Sequence, residues 1–269
     1  MTLFAVFGNP VAHSWSPQIH QSFARQEGRQ LVYERQLIPI DSFAEVAQEF
    51  FQSGGVGANI TVPFKTEAFQ LADEVSSRAR AAQAVNTLFM RDGILFADNT
   101  DGIGLVRAIQ ELLNFSLHDK RILLLGAGGA AQGVILPLLQ QRPAQLIIAN
   151  RTEAKAEKLA VEFGTAWVPV NEIRPHYDII INATSGSLQG QMLPIAPAVL
   201  AKAELVYDMM YAKGPTLFLK QAQQAGCVNT ADGLSMLVAQ AAESYYLWHG
   251  FQPDISVVVS AIRQQMGQQ

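Results

Sequence analysis

Short apolar runs alternate with amphipathic stretches along nearly the whole chain. The first run, LFAVFG at 3–8, has the length of a buried strand, and runs at 31–38 and 56–62 have the same character. Stretches with helical spacing of apolar residues separate them. Strands that alternate with helices in this way are typical of α/β proteins, in which helices cover mostly parallel sheets.

Polar residues indicate where the first helices begin. Ser16 precedes Pro17, so we predict Ser16 as the N-cap and proline as the first helical residue. Ile19 and Phe23 then mark the apolar face of this helix. A second helix is predicted to begin at Ser42.

A change of pattern near residue 102 predicts a second domain. Residues 86–99 form two strand-like arms around Asp92-Gly93, a strong hairpin signal. Residues 100–113 are helical in pattern, and residues 120–139 begin a new strand, glycine turn and helix. Two domains also suit a length of 269 residues.

The later part of the chain continues this second pattern. Further strands are predicted at 145–150, 178–182 and 204–208. Residues 235–250 and 254–266 look like two helices with no strand between them, so we expect both to pack back onto the first domain.

Composition and charge exclude several classes of protein. The net charge is −4 and no basic stripe is present, which argues against a nucleic acid or an anionic membrane as partner. The N-terminus has too short an apolar run for a signal peptide, and no run of about 18 apolar residues occurs, so we expect a cytoplasmic protein. Cys227 is the single cysteine, and the five histidines show no metal-ligand spacing. No metal site is predicted.

A glycine turn in LLLGAGGAAQG is a candidate phosphate cradle. Gly126, Gly128 and Gly129 lie between a strand and a helix, where free backbone N–H groups suit a pyrophosphate. Tight packing of a strand against a helix also selects glycine, so the turn alone is weak evidence.

The residues after the next strand favour NADP over NAD. The sequence there is NRTEAK, with no acidic residue directly after the strand to bind a ribose 2′-hydroxyl, as NAD and S-adenosylmethionine sites use. Arg151 and Lys155 instead suit a 2′-phosphate. The alternative is that Thr152 caps a helix and that both cations are solvated on its face.

Lys65 and Asp101 are candidates for proton transfer. Each follows the end of a strand, where the active sites of open α/β sheets collect. Such a pair beside a substrate hydroxyl can carry its proton while a nicotinamide takes the hydride. Taken singly, each is more often a surface charge. The nearby polar residues that could hold a substrate are Ser14, Ser16, Thr61 and Asn86, although helix capping by Ser16 and local backbone bonding by Asn86 are the plainer interpretations.

Together these stretches resemble the shikimate dehydrogenase family, nearly from end to end. NITVPFK with AVNT and DNTDG is the most specific part of the match. The other matching segments, in family order, are FGNPVAHSWSP, GAGGAA, NRT, INATS, YDMMY and DGLSMLVAQAA.

The resemblance implies an NADP-dependent oxidoreductase that interconverts 3-dehydroshikimate and shikimate in chorismate and aromatic amino-acid biosynthesis. It implies an α/β fold of two domains with a cleft between them. The N-terminal substrate domain would comprise 1–101, with helices of 237–269 packing back on it, and the Rossmann-like NADP-binding domain would comprise 102–236. The sequence does not fix the oligomeric state, and a homodimer is one option.

The resemblance also implies residue roles, with Lys65 and Asp101 as the catalytic pair. Substrate ligands would be Ser14 and Ser16 for the carboxylate and Thr61, Asn86, Asp101 and Gln240 for the hydroxyls. The cofactor would contact the turn Gly126, Ala127, Gly128, Gly129 and Ala130, and the 2′-phosphate group Asn150, Arg151, Thr152 and Lys155. Tyr211 and Gly233 would border the substrate and the nicotinamide.

Three residues depart from the family pattern. Trp15 replaces a common lysine, Lys155 replaces a usual arginine and Ser235 replaces a usual glycine.

Alternatives to the biosynthetic enzyme are a quinate/shikimate dehydrogenase with relaxed cofactor use and a nucleotide-binding paralogue without turnover. A Rossmann methyltransferase is disfavoured because it would need the missing acidic residue.

Overall fold

A computed structural model describes residues 2–186, 190–191 and 194–268. The chain forms two compact units: unit 1 runs to Gly104 and resumes at Val238, and unit 2 comprises Leu105–Leu237. Each unit has its own six-stranded sheet. The predicted α/β class is confirmed.

The sheet of unit 1 is mixed, in the order β2-β1-β3-β5-β6-β4. Its strands are β1 (Thr2–Gly8), β2 (Leu31–Leu37), β3 (Gly55–Ile60), β4 (Glu74–Val75), β5 (Thr87–Arg91) and β6 (Ile94–Asp98). Strands β2 and β3 run parallel to β1, whereas β5 is antiparallel to both β3 and β6. The β5–β6 turn is the predicted hairpin, with positive φ at both Asp92 and Gly93.

The sheet of unit 2 is parallel throughout its described pairings, in the order β12-β11-β10-β7-β8-β9. Its strands are β7 (Arg121–Leu125), β8 (Gln145–Ala149), β9 (Ala166–Trp167), β10 (Ile179–Asn182), β11 (Leu205–Asp208) and β12 (Thr230–Asp232). Numbered within the unit, this is the order 3-2-1-4-5-6 of Rossmann folds. The strand order reverses between β7 and β10, so a ligand crevice is expected at the carboxyl ends of these two strands.

Eleven α-helices connect and cover the strands over the described residues. They are α1 (Ser16–Glu27), α2 (Phe43–Gln52), α3 (Lys65–Leu71), α4 (Ser77–Ala82), α5 (Asp101–Arg107), α6 (Gly129–Gln140), α7 (Glu153–Phe163), α8 (Pro197–Lys202), α9 (Leu217–Gln224), α10 (Leu234–His249) and α11 (Ile255–Gln268). A π-helix, Ala108–Leu112, continues α5, and a 3₁₀ turn lies at Val170–Glu172. None of the described helices is both long and apolar enough to span a bilayer.

Aromatic packing in unit 1 fixes the turn that precedes α3. Phe64 is fully buried and stacks on Phe43, with ring centroids 5.1 Å apart. Phe7 meets Phe50 edge to face at 5.1 Å in the same core. Since Phe64 directly precedes Lys65, this burial sets where the lysine leaves the backbone.

A second aromatic cluster in unit 1 holds α10 against α1 and β2. His20 is fully buried, stacked between Tyr33 at 4.5 Å and Trp248 at 5.0 Å. Neither ring nitrogen of His20 has a hydrogen-bond partner among the described residues. The cluster therefore depends on a neutral imidazole.

Candidate active site and nucleotide site

Lys65 and Asp101 meet in unit 1. The Lys65 Nζ donates to Asp101 Oδ2 at 2.5 Å. The lysine side chain is 30% exposed and the aspartate side chain 17% exposed. The pair is thus desolvated in part but still accessible to a small molecule.

Backbone contacts hold both members of the pair. The Lys65 carbonyl accepts from the Val85 N–H at 2.8 Å, which ties the start of α3 to the segment before β5. The Asp101 N–H donates to Asn99 Oδ1 at 3.1 Å, which fixes the start of α5. Residues 36 positions apart in the chain are therefore brought together by the ends of β3 and β6.

Asn86 and Gln240 lie beside the carboxylate. The Asn86 Nδ2 donates to Asp101 Oδ1 at 2.8 Å and to Gln240 Oε1 at 3.1 Å. Gly104 lets α5 approach α10 here, since a Cβ at this position would lie 2.7 Å from the Gln240 Cβ. Asn86 is buried, with 3% exposure, so its amide is held mainly by protein groups. Thr61, also predicted for the substrate, follows the end of β3 and is partly exposed.

The predicted helix cap at Ser16 is wrong. The N-cap of α1 is Trp15, and Ser16 is the first helical residue, with no capping hydrogen bond from the Trp15 side chain. The Ser16 N–H donates to Ser14 Oγ at 3.2 Å, and the two hydroxyl oxygens are 3.1 Å apart. Both hydroxyls are therefore turned to one place, as a carboxylate ligand requires.

Sequence reasoning missed the residue that holds this serine loop. Arg35, on β2, donates from Nε and Nη2 to the Ser14 carbonyl at 2.9 and 2.6 Å. Its Nη2 also donates to Gln18 Oε1 at 2.9 Å. The guanidinium brings a positive charge close to the serine pair, on a strand whose sequence carries no motif.

The glycine turn of unit 2 follows β7, at the point where the strand order reverses. Gly126 has φ +116°, and a Cβ there would lie 3.1 Å from Thr184, so local packing alone explains this glycine. Gly128 and Gly129 have nothing within 4 Å of a built Cβ. Protein packing does not require glycine at these two positions, and the open space fits a pyrophosphate drawn close to the N-terminus of α6.

A cavity of about 610 Å³ extends from this turn. Its lining includes Gly126, Asn150 and Arg151. Arg151 and Lys155 are both exposed, and neither has an ion-pair partner in the described part of the chain. Lys155 does not line the cavity itself. The residues present fit a nucleotide with an additional phosphate, since a free guanidinium borders the cavity.

The expected cap at Thr152 is only half correct. Thr152 occupies the N-cap position of α7, but its side chain makes no capping hydrogen bond. The Asn150 Nδ2 instead donates to the Thr152 carbonyl at 2.9 Å. Capping therefore does not account for the Asn-Arg-Thr sequence.

Gly233 and Ser235 lie near the end of β11 in unit 2. A Cβ on Gly233 would lie 2.0 Å from the Met209 carbonyl oxygen, so close packing requires glycine there. The Ser235 Oγ is 3.0 Å from the Tyr207 hydroxyl, and the serine is 8% exposed. This hydroxyl is directed toward the buried Tyr207 and not toward solvent.

Tyr211 lies three residues beyond β11. Burial, reinforced by the negative charge of Asp232, raises the pKa of its phenol above the ordinary value of 10. Tyr211 therefore stays protonated at neutral pH and can serve as a hydrogen-bond donor.

These features define a class: an α/β protein with a Rossmann nucleotide-binding unit and a second α/β unit that carries a lysine–carboxylate pair. No group of three or more metal-ligating side chains occurs among the described residues. Three family models match the chain, and they are described as shikimate dehydrogenase substrate binding domain (6–88), shikimate/quinate 5-dehydrogenase (107–190) and shikimate 5′-dehydrogenase C-terminal domain (233–263). The chain belongs to the shikimate dehydrogenase family.

Known proteins similar to this chain carry the same family name or fold. A shikimate dehydrogenase (NADP(+)) of Nitrosospira multiformis is 50% identical over 98% of both chains. The crystal structure of an Ael1 enzyme from Pseudomonas putida is 43% identical, with a TM-score of 0.94 over 97% of this chain and 98% of the other. A shikimate 5-dehydrogenase of Thermus thermophilus, solved with NADP(H) and shikimate, is 33% identical, with a TM-score of 0.89 over 98% and 99%.

Proposed function

We propose that this protein is an NADP-dependent shikimate dehydrogenase that catalyses the reversible reduction of 3-dehydroshikimate to shikimate. The reaction belongs to chorismate and aromatic amino-acid biosynthesis. The observation that carries the proposal is the contact between Lys65 Nζ and Asp101 Oδ2 at 2.5 Å. Family membership and the NADP-dependent relatives support it.

The chemistry needs a hydride and a proton on the same carbonyl group. NADPH, when bound, supplies the hydride to the carbonyl carbon. Lys65 is proposed to donate the proton to the carbonyl oxygen during reduction and to accept it from the shikimate hydroxyl in the reverse direction. Asp101 holds the lysine amine in position and accepts a second hydrogen bond from Asn86.

The remaining substrate contacts follow from the geometry of unit 1. Ser14 and Ser16 are proposed to donate their hydroxyls to the substrate carboxylate, since the two Oγ atoms lie together. The positive Arg35 at the same loop favours an anion there. The proposed ligands of the substrate hydroxyls are Thr61, Asn86, Asp101 and Gln240. Tyr211, which belongs to unit 2, is proposed to border the substrate.

The cofactor is proposed to lie along the open turn and the cavity of unit 2. The turn residues, Gly126, Ala127, Gly128, Gly129 and Ala130, would hold the pyrophosphate by backbone N–H groups. The residues proposed to bind the 2′-phosphate are Asn150, Arg151, Thr152 and Lys155. Arg151 has the strongest claim because it is the cation that lines the cavity. Gly233 is proposed to border the nicotinamide.

Unit 1 is accordingly proposed as the substrate domain and unit 2 as the NADP domain. A cytoplasmic location and a homodimer stay predictions. Sedimentation of the purified protein measures the second, and fractionation of its host cells measures the first.

The decisive experiment follows absorbance of the reduced nicotinamide with purified protein. Shikimate and quinate are each supplied with NADP and with NAD. Turnover with shikimate and NADP, at least tenfold above the other three pairs, is the expected result. Comparable turnover of quinate or with NAD would indicate a broader dehydrogenase, for which the shikimate/quinate description of one matching family model leaves room. Inactivity with all four pairs would contradict the proposal.

A further inference from the structure

We propose that Thr87 and Ser244 are positioning residues that orient Asn86, and through it Asp101, by a directed chain of buried hydrogen bonds. Neither residue contacts the Lys65 amine. The inference rests on the proposed function, since it concerns the same site. The direction of these hydrogen bonds follows from two kinds of group: backbone N–H groups, which can only donate, and carbonyl or carboxylate oxygens, which can only accept.

The orientation of the Asn86 amide is fixed by a backbone N–H. The Thr100 N–H, which can only donate, lies 2.8 Å from Asn86 Oδ1. The Oδ1 atom is therefore an acceptor at this end of the amide, and Nδ2 must point toward Asp101 Oδ1, at 2.8 Å. A flipped Asn86 would place two oxygens against each other and two N–H groups against each other.

This orientation dictates the direction of the next two bonds. The Thr87 Oγ1 lies 2.9 Å from Asn86 Oδ1, so the threonine hydroxyl donates. Its single proton is then used, so toward the Ser244 hydroxyl, 2.7 Å away, it can only accept. The Ser244 proton is shared between Thr87 Oγ1 and the Gln240 carbonyl oxygen, which lies 3.1 Å from Ser244 Oγ. Ser244, on α10, in turn accepts from Asn59 Nδ2 at 3.0 Å.

A second fixed amide begins the chain. The Asn59 Nδ2 also lies 3.2 Å from the Asn86 carbonyl, which can only accept, so Asn59 Oδ1 faces the other way. That oxygen accepts from the Tyr33 hydroxyl at 2.7 Å. From Tyr33 to Asn86, each group therefore donates toward the Asp101 carboxylate.

Burial gives this chain its effect. Thr87 and Ser244 have no exposed surface, and the three other members ahead of Asp101 are at most 5% exposed. Hydrogen bonds that point in one direction in a low dielectric strengthen one another. Water does not reach these groups to replace a lost partner. Removal of one hydroxyl should therefore loosen the Asn86 amide and, with it, the carboxylate that holds Lys65.

The sequence places the two positioning residues on different elements. Thr87 begins β5, and Ser244 lies four residues after Gln240 on α10, on the same face of that helix. Helix α10 thus contributes a proposed substrate ligand and a support for the catalytic pair from one surface.

The test compares Thr87→Val with Thr87→Ser. Valine keeps the shape of threonine without the hydroxyl, whereas serine keeps the hydroxyl. With shikimate and NADP, Thr87→Val and Ser244→Ala should lower kcat by about tenfold or more while the KM for shikimate changes less than about twofold. Thr87→Ser should stay within about twofold of wild type. Tyr245→Phe is the matched control. It removes a neighbouring hydroxyl of α10 that donates to Glu27 and takes no part in the series of hydrogen bonds from Tyr33 to Asp101.

Two results would overturn the inference. One is a wild-type kcat in Thr87→Val and Ser244→Ala, both confirmed as folded by thermal unfolding. The other is a loss in the double variant Thr87→Val, Asp101→Asn equal to the product of the two single losses, because residues acting through one carboxylate are not additive. Wild-type protein that fails to oxidise shikimate would contradict the proposed function instead, so the two failures are distinguishable.

Discussion

Lys65 and Asp101 are each the first residue of a helix, and their charged atoms lie 2.5 Å apart. The positive end of a helix dipole favours the aspartate at the start of α5 and disfavours the lysine at the start of α3. Asp101 therefore offsets two unfavourable effects on the lysine charge, partial burial and the dipole. The relationship ties the two residues together, since the lysine charge depends on the carboxylate.

Lys65→Ala should lower kcat by about a hundredfold to ten-thousandfold, because it removes the group proposed to exchange the proton with the substrate. The KM for shikimate should change only modestly, since the interaction is concentrated in the transition state. Steady-state kinetics with shikimate and NADP give both values. Lys202→Ala, at an exposed lysine of α8, is the control. A near-normal kcat in the Lys65 variant would refute the assignment.

Arg151→Ala should weaken NADP binding by about tenfold and leave NAD binding unchanged, because the proposed charge-assisted hydrogen bond to the 2′-phosphate would be lost. Titration of protein fluorescence with each nucleotide measures both dissociation constants without turnover. Lys158→Ala removes an exposed charge from α7, the helix that follows Arg151, and serves as the matched control. If the ratio of NADP to NAD affinity stays constant in Arg151→Ala, the 2′-phosphate is bound elsewhere.

Arg35→Lys should raise the KM for shikimate about fivefold with kcat nearly constant. Lysine cannot reproduce the planar fork that donates from Nε and Nη2 to the Ser14 carbonyl, so the serine loop loses its fixed position. The measurement is kcat and KM at saturating NADP. Arg25→Lys, at an arginine of α1 that bonds Ser22, should change neither. An unaltered KM in Arg35→Lys would show that the loop is held by other contacts.

Stability should fall as pH decreases from 7 to 5, in part through His20. Burial lowers the pKa of His20 from 6.5 to about 3, so the unfolded chain takes up a proton below pH 6.5 that the folded protein does not accept until far lower pH. The unfolded state binds more protons in this window, and the free energy of unfolding drops with falling pH, by about 2 kcal/mol for this group. Urea unfolding at pH 7, 6 and 5 measures this decrease in the free energy of unfolding.

His20→Phe keeps a ring between Tyr33 and Trp248 and removes the titrating nitrogen atoms. The loss of stability between pH 7 and 5 should therefore shrink by about 2 kcal/mol relative to wild type. If the free energy of unfolding depends on pH equally in wild type and in His20→Phe, His20 takes up its proton over the same pH range in the folded protein as in the unfolded chain.

Local patterns predicted the elements whose signals lie close together in the chain. The Asp92-Gly93 hairpin and the strand and glycine turn that lead into α6 are present where the pattern placed them. The two-residue strands β4 and β9 are too short to show a period of two, and their pairing is decided by neighbouring strands. Ser16 was misassigned because its position before proline suits both the cap and the first helical turn.

The candidate site likewise contains some residues that local patterns predicted and others that they did not. The proximity of Lys65 and Asp101 was predictable because each follows a strand end in a recognisable motif. Thr87 and Ser244 were not, because they meet 157 positions apart in the chain and only the folded sheet brings α10 beside β5. Arg35 gave no signal, since a lone arginine on a strand is most often a solvated surface residue.

Unit 1 is discontinuous in the chain, and this has a consequence for protein synthesis. Residues 105–237 emerge from the ribosome before Gln240 and Ser244 do, and the strands of unit 2 pair only among themselves over the described residues. Unit 2 can therefore fold while unit 1 still lacks α10 and α11. The buried polar groups around Asn59 and Asn86 gain their partners from α10 only when that helix is added. The nascent polypeptide can therefore complete the unit proposed to bind the nucleotide before the unit that carries Lys65 and Asp101.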